Sequence, residues 1–326
     1  MYQLNAEHEN SSFQVLGRLV MMGIFSALLC FSVFMTVFTP YPLGLSSVLY
    51  GRAKGAAVAF IGLITCYFSL KVWGQDLTIF FFFILSVGIS FALSEVVRRE
   101  INPIKGIIAV GVTLTVLVSG LVYVGSLSTE LTLKERLSIE FEKIQPMLEE
   151  QRKKVEASGE SQPFEVEALL AQPDLMAQTV IENAPSIFLV GLFIMLWANL
   201  FLLLKSNRLV NKMNDCKYSE TYLLNFKMPD QTIWFVIVSL ALAIWGGELG
   251  PWFSIIGMTS LKTLGVFYFF QGFGIYLAFL DFLKLTGFFR SLMVVITVLT
   301  AGQVLAVVGL ADMFVDFKKL MTRKED

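Results

Sequence analysis

Apolar runs of about twenty residues recur from one end of this chain to the other, the length a helix rising 1.5 Å per residue needs to cross ~30 Å of hydrocarbon. They fall at 19–38, 55–72, 77–94, 105–126, 186–204, 231–247, 254–283 and 291–310. Lipid offers no hydrogen bonds to a backbone, so such runs are stable there only as helices. Over 326 residues the mean hydropathy is +0.69, with 56% hydrophobic and 16% charged residues, which takes the composition out of the soluble range. The fold class expected is all-α: a polytopic transmembrane helix bundle of about seven full spans plus one or two short half-helices, with an extramembrane helical insertion.

The insertion divides the chain. We delimit a polar N-terminal tail at 1–18, a first membrane half at 19–126, the insertion at 127–184, a second membrane half at 185–311 and a basic tail at 312–326. Thr129 to Asn183 holds six basic residues against twelve acidic, a net of −6, whereas the rest of the chain holds nineteen against fourteen, +5. The basic connections at 98–105 (Arg98, Arg99, Lys105) and 205–230 (Lys205, Arg208, Lys212, Lys217, Lys227) read as cytoplasmic, which sends the acidic segment outside. Thr132 and Glu135 have the spacing of a capping box. Leu133, Leu137, Phe141, Ile144 and Leu148 then form one apolar stripe on a charged helix, and a second short helical pattern follows the SGESQP link.

Details of the spans carry further expectations. Pro40 and Pro42 end the first helix, and 43–50 is too short to span alone; it is either a cavity wall or a structured interfacial loop. Small residues four apart, Gly23/Ala27, Gly55/Ala59 and Gly88/Ala92, suggest close helix contacts. Pro173 and Pro185 mark the return to the membrane. GGELGPW breaks the chain after 247, and the long run 254–283 is split into a half-helix reaching about Lys262 and a full span ending near Asp281. A cytoplasmic basic tail requires that half-helix to return inward; otherwise the tail lies outside.

The inventory of reactive groups is thin. The single histidine, His8, removes internal His-based metal, triad and proton-relay chemistry, and there is no P-loop, so ATP-driven work would need a partner. Cys30, Cys66 and Cys216 form no disulfide or metal pattern. Glu248 and Lys262 flank the broken helix, Asp281 and Lys284 are spaced for an i, i+3 pair, and Gln303 lies mid-span. Gln271, beside Gly272 and Gly274, faces a cavity or hydrogen-bonds a neighbouring helix. If it faces a cavity, Gln271→Leu should leave folding intact. Asp312 and Asp316 share a helix face with Lys319 and are candidate functional carboxylates. The candidate cavity or substrate residues are Tyr41, Ser46, Tyr50 and Gln271. No catalytic set is concentrated enough for an enzyme, and no cofactor or nucleic-acid partner is expected.

Four blocks, PYPLGLSSVLYGRAKG (40–55), FKMPDQTIWF (226–235), FQGFGIYLAF (270–279) and VGLADMFVDFKK (308–319), together resemble the YybS-like family of bacterial multi-span membrane proteins of unknown function. In the last block Gly309, Asp312, Asp316, Phe317 and Lys318 take the family's positions, with Lys318 where an arginine is usual. The helix, proline-bearing half-segment and Gly-Arg turn at the N-terminal end are similar to S components of energy-coupling-factor transporters, a likeness of fold that transfers no ligand. The resemblance implies a multi-pass protein of the bacterial cytoplasmic membrane. Two functions follow: small-solute binding or transport with an external energising partner, or a non-transporting scaffold whose outer insertion binds an envelope protein.

Overall fold

A computed structural model describes residues 2–32, 35–74, 77–127, 134–143, 145–146, 173–210 and 217–322. The helices are α1 (Tyr2–Phe31), α2 (Pro40–Tyr50), α3 (Arg52–Trp73), α4 (Thr78–Arg98), α5 (Pro103–Leu127), α6 (Pro173–Val210), α7 (Glu220–Leu224), α8 (Thr232–Leu249), α9 (Pro251–Phe282), α10 (Gly287–Val315) and α11 (Phe317–Thr322). Residues 134–143 are helical as well. Among the described residues eight helices are long and apolar enough to cross a membrane: Gln14–Phe31, α3, α4, Pro103–Gly125, Asp174–Ser206, α8, α9 and α10. The chain divides into two compact units, Met1–Val112 with Leu192–Asp230 and Val266–Asp326, and Thr113–Gly191 with Gln231–Gly265.

In the first unit α1 and α3 run parallel. A Cβ on Gly23 would lie 2.9 Å from Val58 O, and the Phe31 ring meets Trp73 edge-on at 5.0 Å, so both residue numbers rise together along the contact. Parallel neighbours need a connection that returns through the bundle, and 35–51 makes that return. The first helix therefore ends at Phe31, seven residues before the end of the apolar run at 38. Ser26 Oγ donates to Thr39 O (2.7 Å) and Asn199 Nδ2 to Val37 O (2.7 Å), taking up carbonyls that the turn removes from the helix ladder.

The proline-bearing segment is a helix, which corrects the alternative of an interfacial loop. Pro40 occupies the first turn of α2, where a missing N–H costs nothing, and Pro42, Leu43, Gly44, Ser46 and Ser47 are buried. Small side chains let it sink between its neighbours: a Cβ on Gly55 would lie 2.7 Å from Ser47 Cβ, and Ser94 Oγ donates to Ser47 Oγ at 3.2 Å. At the rim, Arg52 and Arg99 both bind Glu95, joining the start of α3 to the end of α4. Gly88 departs from the small-residue expectation, because a Cβ added there would meet no neighbour within 4 Å. Gly23→Leu should therefore lose about 1–3 kcal/mol by overpacking while Gly88→Leu stays near the parent; thermal unfolding in detergent checks the pair.

In the second unit α8 and the first half of α9 form a tight hairpin. Gly250 links them, and a Cβ on Gly257 would lie 2.5 Å from Ala243 N. The expected half-helix at 254–262 is absent: α9 continues unbroken for 32 residues from Pro251, because no proline follows that position to interrupt the ladder. The helix that returns to the membrane, α6, begins at Pro173 and carries Pro185 in its interior. Lys262 Nζ donates to Asn183 Oδ1 at 3.0 Å and Ser186 Oγ at 3.4 Å beside that proline.

Within the insertion, Leu137 and Phe141 are half-buried while most of 134–143 is exposed, as the stripe requires, and Ser138 Oγ donates to Asp174 Oδ1 at 2.8 Å. Thr132, Leu133, Ile144, Leu148, the SGESQP link and the second helical pattern lie outside the described residues.

Candidate functional site

Three of the four sequence blocks meet at one place in the first unit, where the chain is not helical. After α7 the stretch 225–231 runs without regular structure, yet Phe226 and Met228 are buried. Phe226 enters an aromatic cluster in which Trp197 stacks on Phe270 with ring centroids 4.6 Å apart, and its own ring lies 6.4 Å from Phe267. Non-helical backbone inside a membrane bundle must be satisfied by protein or water, because lipid supplies no partner.

Gln271 and Asp312 supply it. Gln271, 1% exposed, accepts from the Met228 N–H through Oε1 at 2.9 Å and donates through Nε2 to Asp312 Oδ2 at 2.9 Å. Asp312 is also buried, and its Oδ1 accepts from the Phe317 N–H at 2.8 Å. The carboxylate thus closes the end of α10 and holds the amide that holds the irregular stretch. α10 stops because Asp316 adopts the left-handed conformation, φ 49°, which aspartate tolerates better than most residues.

Lys318 completes the arrangement from α11, donating through Nζ to Leu224 O at 2.8 Å and Asn225 Oδ1 at 3.1 Å. It caps the carbonyl end of α7 as cations do at helix C-termini. Burial pushes its ammonium below the ordinary lysine value of 10.5, with Asp312 opposing that shift. The unfolded chain therefore binds this proton more tightly, and the group's contribution to stability rises with pH just below 10.5. Lys318→Met should cost about 1.5–3 kcal/mol, the worth of hydrogen bonds from a charged donor, whereas Lys318→Arg retains most of it; thermal unfolding of both variants measures this.

Backbones approach closely around these side chains. A Cβ on Gly272 would fall far inside the contact distance of Leu305 O, one on Gly309 would meet Tyr268 O, and one on Gly274 would meet Leu224 O. These glycines bring α9, α10 and the end of α7 near enough for short side chains to bridge them.

The other sequence candidates are placed elsewhere. Tyr41 OH pairs with Ser206 Oγ at 2.7 Å, Ser46 Oγ donates to Leu43 O at 2.7 Å, and the Tyr50 ring lies 5.9 Å from Lys54 Nζ, all on α2 and away from Gln271. Gln271 takes the helix-bridging role rather than facing a cavity, so Gln271→Leu is expected to destabilise the fold. Asp312 and Asp316 do not share a helix face: the first is buried inside α10, while Asp316 is exposed at its end, 4.0 Å from Lys227 Nζ. Asp281 pairs with Arg290 at 2.6 Å, not with Lys284, which turns away at φ 56°. The partners Met228, Leu224 and Phe317 act through backbone atoms, and side-chain identity carries no signal for them.

The tail also finds a definite neighbour. Lys318 and Asp316 reach the 217–231 connection, and Asn102 Nδ2 donates to Tyr222 OH at 2.6 Å, so the two basic connections and the start of the tail gather together.

The spans and the buried polar contacts between them define a multi-pass helical membrane protein. The chain belongs to the family described as "Predicted membrane protein (DUF2232)", whose sequence pattern matches residues 18–313. No curated protein and no solved structure matches it.

Proposed function

We propose that the protein binds a small solute for transport in the manner of an S component, working with an external energising partner. The observation that carries this reading is the irregular stretch 225–231, held inside a helical bundle by the buried Gln271 and Asp312. Irregular chain held against the ends of spans by buried polar and ionisable groups is what solute pathways are built from. The resemblance of the four blocks to the YybS-like family, and of the N-terminal layout to energy-coupling-factor S components, agrees with it. The missing P-loop is the reason for a separate energising partner.

On this reading the membrane is the bacterial cytoplasmic one. The connections at 98–105 and 205–230 lie in the cytoplasm and the acidic insertion 129–183 lies outside, in keeping with the positive-inside bias, and the contact of Lys318 with Leu224 O sets the start of the tail against the second connection. Single cysteines introduced at Lys217 and after Asp326 are expected to react with an impermeant maleimide from the same, cytoplasmic, side in a cysteine-free background. Labelling from opposite sides would sink this arrangement.

Purified full-length protein should gain thermal stability from one or a few members of a metabolite panel, by about 2.7 kcal/mol at a hundredfold excess over Kd. Asp312→Asn, which keeps the shape but exchanges an acceptor for a donor, should lose that gain. A flat panel, with an envelope protein co-purifying only while 129–183 is present, would instead establish the scaffold function.

A further inference from the structure

We infer that Cys30 and Cys66 are a redox-active pair that closes to a disulfide in the folded protein and locks α1 to α3. Far apart in the chain, they are brought together by the parallel packing of the two helices. Both are buried in one apolar cluster, and their thiols are in hydrogen-bonding contact with each other. A disulfide needs Cα atoms within ~4.4–6.8 Å, closer than most helix pairs come, and this seam is built for such an approach. A Cβ on Gly23 would lie 2.9 Å from Val58 O, and one on Gly62 would lie 3.2 Å from Gly23 O. Cys30 follows Gly23 by seven residues and Cys66 follows Gly62 by four, so each thiol stands on the same helix face as the glycine that makes the contact. Beyond Cys30 the Phe31 ring on Trp73 keeps the seam closed to the end of α1.

The oxidant is an organic disulfide. Cys30, 6% exposed and next to the last residue of α1, is attacked first, and Cys66, 0% exposed, resolves. The Cys30 thiolate displaces one thiol from the oxidant and forms a mixed disulfide; the Cys66 thiolate then attacks the Cys30 sulfur and releases the second thiol. One Sγ–Sγ bond forms and the oxidant's S–S bond breaks, with two electrons and two protons passing to the departing thiols. The consequence reaches α2. Thr36 Oγ1 donates to Cys30 O at 3.2 Å and Ser26 Oγ to Thr39 O at 2.7 Å, so the turn that leads into α2 hangs from the same part of α1 and is fixed with it.

Disulfides persist outside the cytosol. Arg52, at the start of α3, binds Glu95 beside the 98–105 connection, so on the orientation proposed above the far ends of α1 and α3 are extracytoplasmic. A permeant oxidant reaches the pair from either side, so the orientation and the cross-link fail independently. The test uses the full chain in native membranes, with Cys216→Ser removing the third thiol. Membranes are treated with dithiodipyridine, a small permeant disulfide, dissolved in sodium dodecyl sulfate with excess N-ethylmaleimide, and digested for mass spectrometry. We expect a Cys30–Cys66 linked peptide pair, two hydrogens lighter than its parts and free of pyridyl and maleimide groups, that dithiothreitol separates. Because the bond closes a long loop, the melting temperature in detergent should rise by about 5 °C on oxidation and fall back on reduction. The double variant Cys30→Ser with Cys66→Ser should show no such shift. Cysteines recovered separately, as maleimide or pyridyl adducts, overturn the proposal, and so does a linked protein that melts no higher than the reduced one.

Discussion

Replacing Asp312 by leucine is expected to cost about 3 kcal/mol of folding stability, because it orphans two donors, the buried Gln271 Nε2 and the half-buried Phe317 N–H. Each unsatisfied donor costs ~1–3 kcal/mol, and the gain from no longer burying a carboxylate offsets part of the sum. The damage should spread, since Gln271 also holds the Met228 N–H and through it the irregular stretch. Asp316→Asn supplies the contrast: it keeps a residue that tolerates the left-handed backbone, and the exposed carboxylate it removes is 4.0 Å from Lys227, so the change should be within ~0.5 kcal/mol of zero. Thermal unfolding in one detergent, followed by tryptophan fluorescence, separates the two. If Asp312→Leu unfolds within a degree or two of the parent, the carboxylate does not organise this region.

An equally large effect is expected from adding one methyl group at Gly272 or Gly309. The new Cβ would press on a backbone carbonyl, Leu305 O or Tyr268 O, and neither atom can rotate away as a side chain would. Overpacking usually costs ~1–3 kcal/mol, and here the helices must separate, which also lengthens the Gln271–Asp312 bridge, so about 3 kcal/mol or more is expected for each alanine variant. Gly265→Ala is the control: nothing lies within 4 Å of its Cβ position, and a modest gain from helix propensity is the expected result. The recovery of monodisperse protein on size exclusion reads both. Gly272→Ala recovered like Gly265→Ala would mean that the close approach of α9 and α10 does not hold in the protein.

These predictions rest on features of very different visibility in the sequence. A span announces itself because the bilayer imposes one length and one polarity on it, so α3, α4, α5, α8 and α10 are near the expected places. Gln271 and Asp312 stand out as polar residues where polarity is expensive. That they bind each other does not, since 41 residues separate them and their partners are partly backbone atoms. The split of α9 fails because length alone suggests it: a bilayer accommodates a long helix by tilt as readily as a chain does by breaking it. The parallel pairing of α1 and α3 is hidden for a related reason. Hydropathy counts crossings that are long and apolar, and the return through 35–51 is made by one turn of 3-10 helix and the 11 residues of α2.

The helical class and the membrane as solvent can both be read from the residues alone, because each follows from local composition and the hydrogen-bonding demands of lipid. Where the chain folds back, which glycines bring backbones together and which polar groups satisfy the irregular stretch at 225–231 emerge only once the chain is folded. Those outcomes depend on contacts between residues far apart in the chain, and no local pattern encodes them.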